Sequence, residues 1–252
     1  MPASFILDAA ASHATLTLNR SERHNALSLD DCREIIAALD ELAAKPDLRC
    51  LVLTGAGKSF CSGAFLASVP DDYDWTDNPV ERLADVLDDF PVPVLCALNG
   101  GVYGGGFDFA VACDFRLGVT GMSCFVPPAR IGIQYPTRGL ERAVARVGLG
   151  MSKRLFLGVE TFGDQALLDM GFLDWLVPPD QLAARTQAWI DNMCALAPLS
   201  LRGMKKTLNQ VSVGRLDRTD ADRRAVQSFR TADHAEGKRA MAEKRKPVFT
   251  GR

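Results

Sequence analysis

The chain reads as an α/β protein with crossover connections, and three observations predict it. Apolar, strand-like runs recur at residues 50–53, 92–98 and 115–119. Segments with helical spacing separate these runs, as parallel strands require. Past Asp180 the strand signal stops and only helical patterns remain. With 252 residues, 47% of them apolar, the chain has ample material for a packed core.

The elements follow in order. Residues 15–18 alternate polar and apolar side chains and predict a strand, paired with residues 4–7. Ser28 with Asp31 three places on is a capping signature. Leu29, Cys32, Ile35, Ile36, Leu39, Leu42 and Ala43 then recur at helical spacing, and Pro46-Asp47 ends that helix. Residues 107–113 read as an apolar helix between the second and third strands. Residues 71–79, rich in Asp, Tyr, Trp, Asn and Pro, predict an irregular loop. The tail predicts helices over residues 181–195, 199–211, 220–231 and 235–244. The organisation expected is an α/β core over residues 1–190 and a helical region over 191–252.

Composition narrows the function classes. A net charge of −2 gives no support for nucleic-acid binding or a polybasic membrane surface. No apolar run has the length of a bilayer span, and residues 1–11 lack the order of a signal peptide. Seven scattered cysteines, with no C-x-x-C pair, predict reduced and mostly buried thiols. The expectation is a cytoplasmic protein.

The most informative segment is residues 99–108, Asn-Gly-Gly-Val-Tyr-Gly-Gly-Gly-Phe-Asp. Three glycines at a strand–helix junction remove every β-carbon from the helix start, so a ligand can approach its free N–H groups. Asp108 sits between Phe107 and Phe109, which predicts a buried carboxylate in need of a partner or a shifted pKa. Residues 57–66 read as a turn after a strand, with Phe60 buried and Gly63-Ala64 presenting backbone donors. Gly57-Lys58-Ser59 is not a phosphate loop, because position 52 is Val, and Phe60 breaks a dinucleotide fingerprint. Neither Ser59 nor Ser123 stands in a nucleophile elbow. His13, His24 and His234 are far apart and predict surface positions rather than a triad or a metal site.

With these segments in hand the chain resembles the enoyl-CoA hydratase/isomerase (crotonase) superfamily. Residues 18–27 resemble its N-terminal signature, residues 54–66 and 99–108 its two oxyanion segments, and residues 243–249 its ending. The resemblance implies a spiral of ββα units with a helical C-terminal region that serves oligomerisation, as trimers that often pair into hexamers. It implies an acyl-CoA thioester as substrate, so that coenzyme A arrives with the substrate and no separate cofactor is expected. Its carbonyl oxygen would accept from the N–H groups of Ala64 and Gly105. Arg23, the backbone at Ala26, and Lys246 would hold the CoA moiety.

Two departures bear on the reaction. Hydratases of this family use two glutamates; the first position holds Asp108 and the second Pro128, which transfers no proton. Phe65 replaces the aspartate that commonly follows the alanine of the first segment. Residues 132–135 resemble methylmalonyl-CoA decarboxylases, where a tyrosine, here Tyr135, orients the substrate carboxylate. The sequence ranks a hydratase or isomerase with Asp108 as its single acid first. A decarboxylase using Tyr135 comes second, Asp108 being expected to repel a substrate carboxylate. A catalytically silent acyl-CoA-binding protein is the alternative from another class.

Overall fold

A hairpin opens the chain in the computed structural model, which describes residues 3–252. Strands β1 (Phe5–Ala9) and β2 (His13–Leu18) pair antiparallel, with Phe5 opposite Leu18 and Leu7 opposite Leu16. In helix α1 (Leu29–Ala43), Ser28 Oγ accepts from the Asp31 N–H and the Asp31 carboxylate accepts from the Ser28 N–H. This reciprocal box satisfies two groups that a helix start leaves open. The stripe Cys32, Ile35, Ile36, Leu39 and Leu42 is buried, as its spacing predicts.

Three turns of a spiral then repeat one plan of two strands and a helix. The first is β3 (Cys50–Gly55), β4 (Ser59–Cys61) and α2 (Pro79–Asp88). The second is β5 (Val94–Leu98), β6 (Gly101–Tyr103) and α3 (Gly105–Ala112), and the third is β7 (Phe115–Val119), β8 (Ser123–Phe125) and α4 (Thr137–Phe156). Next come β9 (Phe162–Gly163), α5 (Asp164–Asp169) and β10 (Trp175–Val177). The longer strands build a six-stranded sheet, β1-β2-β3-β5-β7-β10, parallel from β2 onward. The short ones build a second sheet, β4-β6-β8-β9.

The sequence pattern does not predict this second sheet. Its strands have two or three residues, too few for a period-two signal. Side-chain amides hold its first corner, between β3 and β4. Asn25 Nδ2 donates to the carbonyls of Ala56, Ser59 and Phe60, and Asn99 bridges Gly55 N–H to the carbonyls of Gly57 and Ser59. The predicted turn at residues 57–66 therefore contains β4, with Phe60 fully buried.

The tail is helical throughout: α6 (Leu182–Cys194), α7 (Pro198–Ser212), α8 (Arg218–Ser228) and α9 (Ala232–Ala242). The large sheet is covered on both faces. Leu51 and Leu53 face the cluster that includes α1, α2 and α3, while Cys50 and Val52 pack with Trp189, Ile190 and Met193 of α6. All seven cysteines are free thiols and six are buried. Among the described residues no helix is long and apolar enough to cross a membrane.

Candidate active site

The glycine-rich junction positions the site. Helix α3 starts at Gly105, two residues earlier than the apolar pattern predicts, so the glycines form its first turn. No side chain caps it. A β-carbon at Gly106 would lie 2.3 Å from the Cys61 carbonyl oxygen, so only glycine lets this turn rest on β4. Gly63 makes the matching approach. It has φ +84°, and a β-carbon there would sit 2.4 Å from the Gly105 nitrogen.

The neighbouring amide is fixed from both sides. Leu27 N–H donates to the Gly63 carbonyl at 2.8 Å, and Phe65 N–H donates to the Leu27 carbonyl at 2.7 Å. Ala64 between them donates to nothing among the described residues, nor does Gly105. The Ala64 nitrogen is 3.6 Å from where a Gly105 β-carbon would be. Two uncommitted N–H groups thus stand side by side where two loops touch.

Asp108, on the fourth residue of α3, is 4% exposed. Its partner is Arg142 of α4. Nε donates to Oδ1 and Nη2 to Oδ2, both at 2.8 Å, a two-pronged pair. Nη1 of the same guanidinium donates to Asp85 at 2.8 Å, and Arg138 meets Asp85 at 3.0 Å. Burial pushes the Asp108 carboxyl up from its ordinary range, and the two bonds from Arg142 oppose that shift. Against the desolvation of its own charge, the contacts to Asp108 and Asp85 hold Arg142 protonated. A guanidinium on both oxygens favours the charged form of Asp108 against that burial.

Tyr135 lies close to Asp108. Its hydroxyl donates at 3.3 Å to the Gly104 carbonyl, the other end of the peptide that carries the Gly105 N–H. Burial and the Asp108 charge push the phenol well up, so it stays neutral. Gly139 makes the cluster possible, since a β-carbon there would meet the Tyr135 ring at 2.6 Å and Asp108 Oδ2 at 3.0 Å. Pro128 opens a short 3₁₀ turn, Pro128–Ile131.

The remaining candidates divide. Arg23 pairs with Asp31 at 3.0 Å and lies over the Phe65 ring, and Ala26 is buried beside it. Lys246 is exposed in a tail whose Phe249 carbonyl accepts from Arg49. Arg49 precedes β3, whereas Arg23 and Ala64 lie past the opposite ends of β2 and β3, so one chain does not gather Lys246 with them. His24 is exposed and hydrogen-bonded to Ser59 through Nδ1 at 2.8 Å. Among the described residues no group of three or more His, Cys, Asp or Glu side chains could hold a metal ion.

Arg142 is the functional residue that sequence reasoning missed. Helix α4 was not predicted, because Gly139, Gly148 and Gly150 interrupt its pattern. The available signal was the spacing of Arg138, Arg142 and Arg146, a cationic row at successive helical turns.

Comparison with known proteins accords with this architecture. The family model for enoyl-CoA hydratase/isomerase matches residues 8–252. The chain belongs to that family, whose members are enzymes acting on acyl-CoA thioesters, and it has the crotonase fold. It is 29% identical to the crotonyl-CoA hydratase of Syntrophomonas wolfei, over 98% of this chain and 97% of that one. It is 26% identical to the methylmalonyl-CoA decarboxylase of Escherichia coli, over 94% of each. The crystal structure of an enoyl-CoA hydratase from Bacillus anthracis superposes with a TM-score of 0.89, at 26% identity, covering 99% of this chain and all (100%) of that one.

Proposed function

We propose that this chain stabilises a thioester enolate between the N–H groups of Ala64 and Gly105, and that it reaches the enolate by loss of CO₂ from a malonyl-type acyl-CoA. Adjacent donors favour the enolate oxygen over the neutral thioester oxygen. Removing one such donor typically costs about 3 kcal/mol of transition-state stabilisation.

The observation that carries the choice of reaction is the Asp108–Arg142 pair. An acid must present its proton to the substrate, and both oxygens of this carboxylate are taken up by one guanidinium. Pro128 supplies none at the second position. Decarboxylation needs neither acid. The C–C bond to the carboxylate breaks, CO₂ leaves, and the electron pair becomes the enolate, which then takes a solvent-derived proton at the α-carbon. The pair also removes the objection that Asp108 would repel a substrate carboxylate, because Arg142 neutralises it. The Tyr135 hydroxyl donates to the carbonyl of the very peptide whose N–H is the Gly105 donor, and so steadies that donor.

The likeness to a crotonyl-CoA hydratase favours a second reading, hydration with Asp108 as the single acid/base. Methylmalonyl-CoA and crotonyl-CoA separate the two. The first reading expects CO₂ and propionyl-CoA carrying one solvent hydrogen, with Asp108→Asn retaining turnover. Hydration of crotonyl-CoA that Asp108→Asn abolishes, with methylmalonyl-CoA untouched, establishes the second. Binding without turnover of either identifies a silent acyl-CoA-binding protein.

Self-association into trimers or hexamers through residues 191–252 belongs to the same proposal. Its support is a row of exposed apolar side chains on α7, Met204, Leu208 and Val211, on one helical face.

A further inference from the structure

Helix α2 carries Val80 and Glu81 in its first turn, where the Asn78 side chain accepts from both of their N–H groups. Val80 reaches the two uncommitted amides. Its Cγ1 is 3.6 Å from where a Gly105 β-carbon would be. Glu81, the next residue, is half-buried. Asp85 stands one turn further along, on the same stripe of α2, and pairs with Arg138 at 3.0 Å and Arg142 at 2.8 Å. The stripe of Glu81 and Asp85 therefore faces α4 and the Asp108–Arg142 pair. Helical side chains lean toward the N-terminus, so Glu81 leads from that stripe back toward Val80 and the amides.

Asp108 and Asp85 are committed, and Glu81 is not. Arg142 takes both oxygens of Asp108, and Arg138 and Arg142 share Asp85. The Glu81 carboxylate has no hydrogen bond or ion pair among the described residues. A first-turn acid gains from the helix dipole, but that interaction leaves both of its oxygens open. A carboxyl group free to take or give a proton thus stands beside the residue that walls the amide pair.

We propose that Glu81 is a catalytic residue that moves the proton at the α-carbon of the acyl group. This deepens the reading above and rests on it, since the enolate must lie between the Ala64 and Gly105 amides. Once CO₂ has left, the Glu81 carboxylic acid gives its proton to the enolate α-carbon. The C–H bond forms, the thioester carbonyl reforms, and the carboxylate that remains regains a proton from water. The proton is still solvent-derived, but it arrives from one side. In reverse, the Glu81 carboxylate removes an α-proton from a saturated thioester, and the electron pair passes to the carbonyl oxygen. Neither direction draws on Asp108 or Pro128.

Two measurements in D₂O test this on the wild-type protein, Glu81→Gln and Glu81→Asp. The first follows the α-protons of propionyl-CoA by NMR. The wild-type protein exchanges them for deuterium. Glu81→Gln does so about a hundred-fold more slowly while still binding the thioester, and Glu81→Asp keeps part of the rate. The second reads the configuration of the propionyl-CoA formed from methylmalonyl-CoA. The wild-type product carries deuterium in one configuration, and the product of Glu81→Gln carries it in both. Unchanged exchange in Glu81→Gln overturns the proposal, as does exchange lost only in Asp108→Asn. Exchange lost together with thioester binding means a structural role, and also overturns it. A wild-type protein that decarboxylates methylmalonyl-CoA, but neither exchanges propionyl-CoA nor labels one configuration, keeps the parent reading and removes this one. A wild-type protein that acts on none of methylmalonyl-, crotonyl- and propionyl-CoA removes both.

Discussion

Helices α1 and α3 begin in opposite ways. The start of α1 is closed: Ser28 and Asp31 exchange hydrogen bonds, and Arg20 and Arg23 stand over the carboxylate. The start of α3 is open, with glycine at its first two positions, no side-chain cap and a free Gly105 amide. Each carries a buried aspartate in its first turn, and the two titrate in opposite directions. Burial raises the Asp31 carboxyl, but the hydrogen bonds from Ser28 and the Arg20 charge outweigh it and hold Asp31 below 3.8. Burial dominates at Asp108 and raises it against Arg142. One helix start is closed by its own side chains; the other leaves backbone donors uncommitted and depends on a distant arginine for its charge balance.

The largest break in this contrast comes from removing that arginine. Arg142→Gln leaves the Asp108 carboxylate buried without its cation, a change that costs about 3–5 kcal/mol. Urea unfolding at neutral pH measures the loss. The sign of its pH dependence follows from burial. With the carboxyl raised further in the folded state, the variant keeps more of its stability below the unfolded carboxylate range and loses it as pH rises through the folded value.

Next is the approach of the two loops. Gly63→Ala puts a methyl group against the Gly105 nitrogen at a backbone angle that alanine resists, and so separates the Ala64 and Gly105 amides. Turnover falls about a hundred-fold, as for the loss of an oxyanion donor, while KM changes little. Steady-state kinetics on the active thioester check it.

The smallest effect sharpens the closed end. Asp31→Asn lowers stability by about 1 kcal/mol at pH 7. Because folding holds this carboxyl below its ordinary value, its contribution is complete above 3.8 and is lost as pH falls through the lower folded value. Thermal unfolding of the two proteins therefore converges on acidification.

The closed helix was legible in the sequence, and much of the open one was too. Ser28 and Asp31 mark α1 because capping is a local matter of three residues. The glycine run and the flanking phenylalanines marked the junction and the burial of Asp108. The partner was not legible, since Arg142 lies 34 residues away in sequence, on a helix whose glycines mask its period. The short strands β4, β6 and β8 were equally hidden. Asn25 and Asn99 tie the corner between β3 and β4, and an asparagine in a loop carries no sign of which carbonyls it will meet.

The Leu27–Ala64 bridge also bears on how such a chain diverges. The backbone contacts described at Ala64 come from residues at or before Phe65, and the polypeptide then leaves for the irregular stretch up to Asn78, which caps α2. Insertions, deletions or wholesale exchange of that stretch fall outside the anchored strip. A lineage can therefore remodel that stretch without disturbing the strip, and a laboratory grafting experiment has its two splice points marked at Leu66 and Asn78.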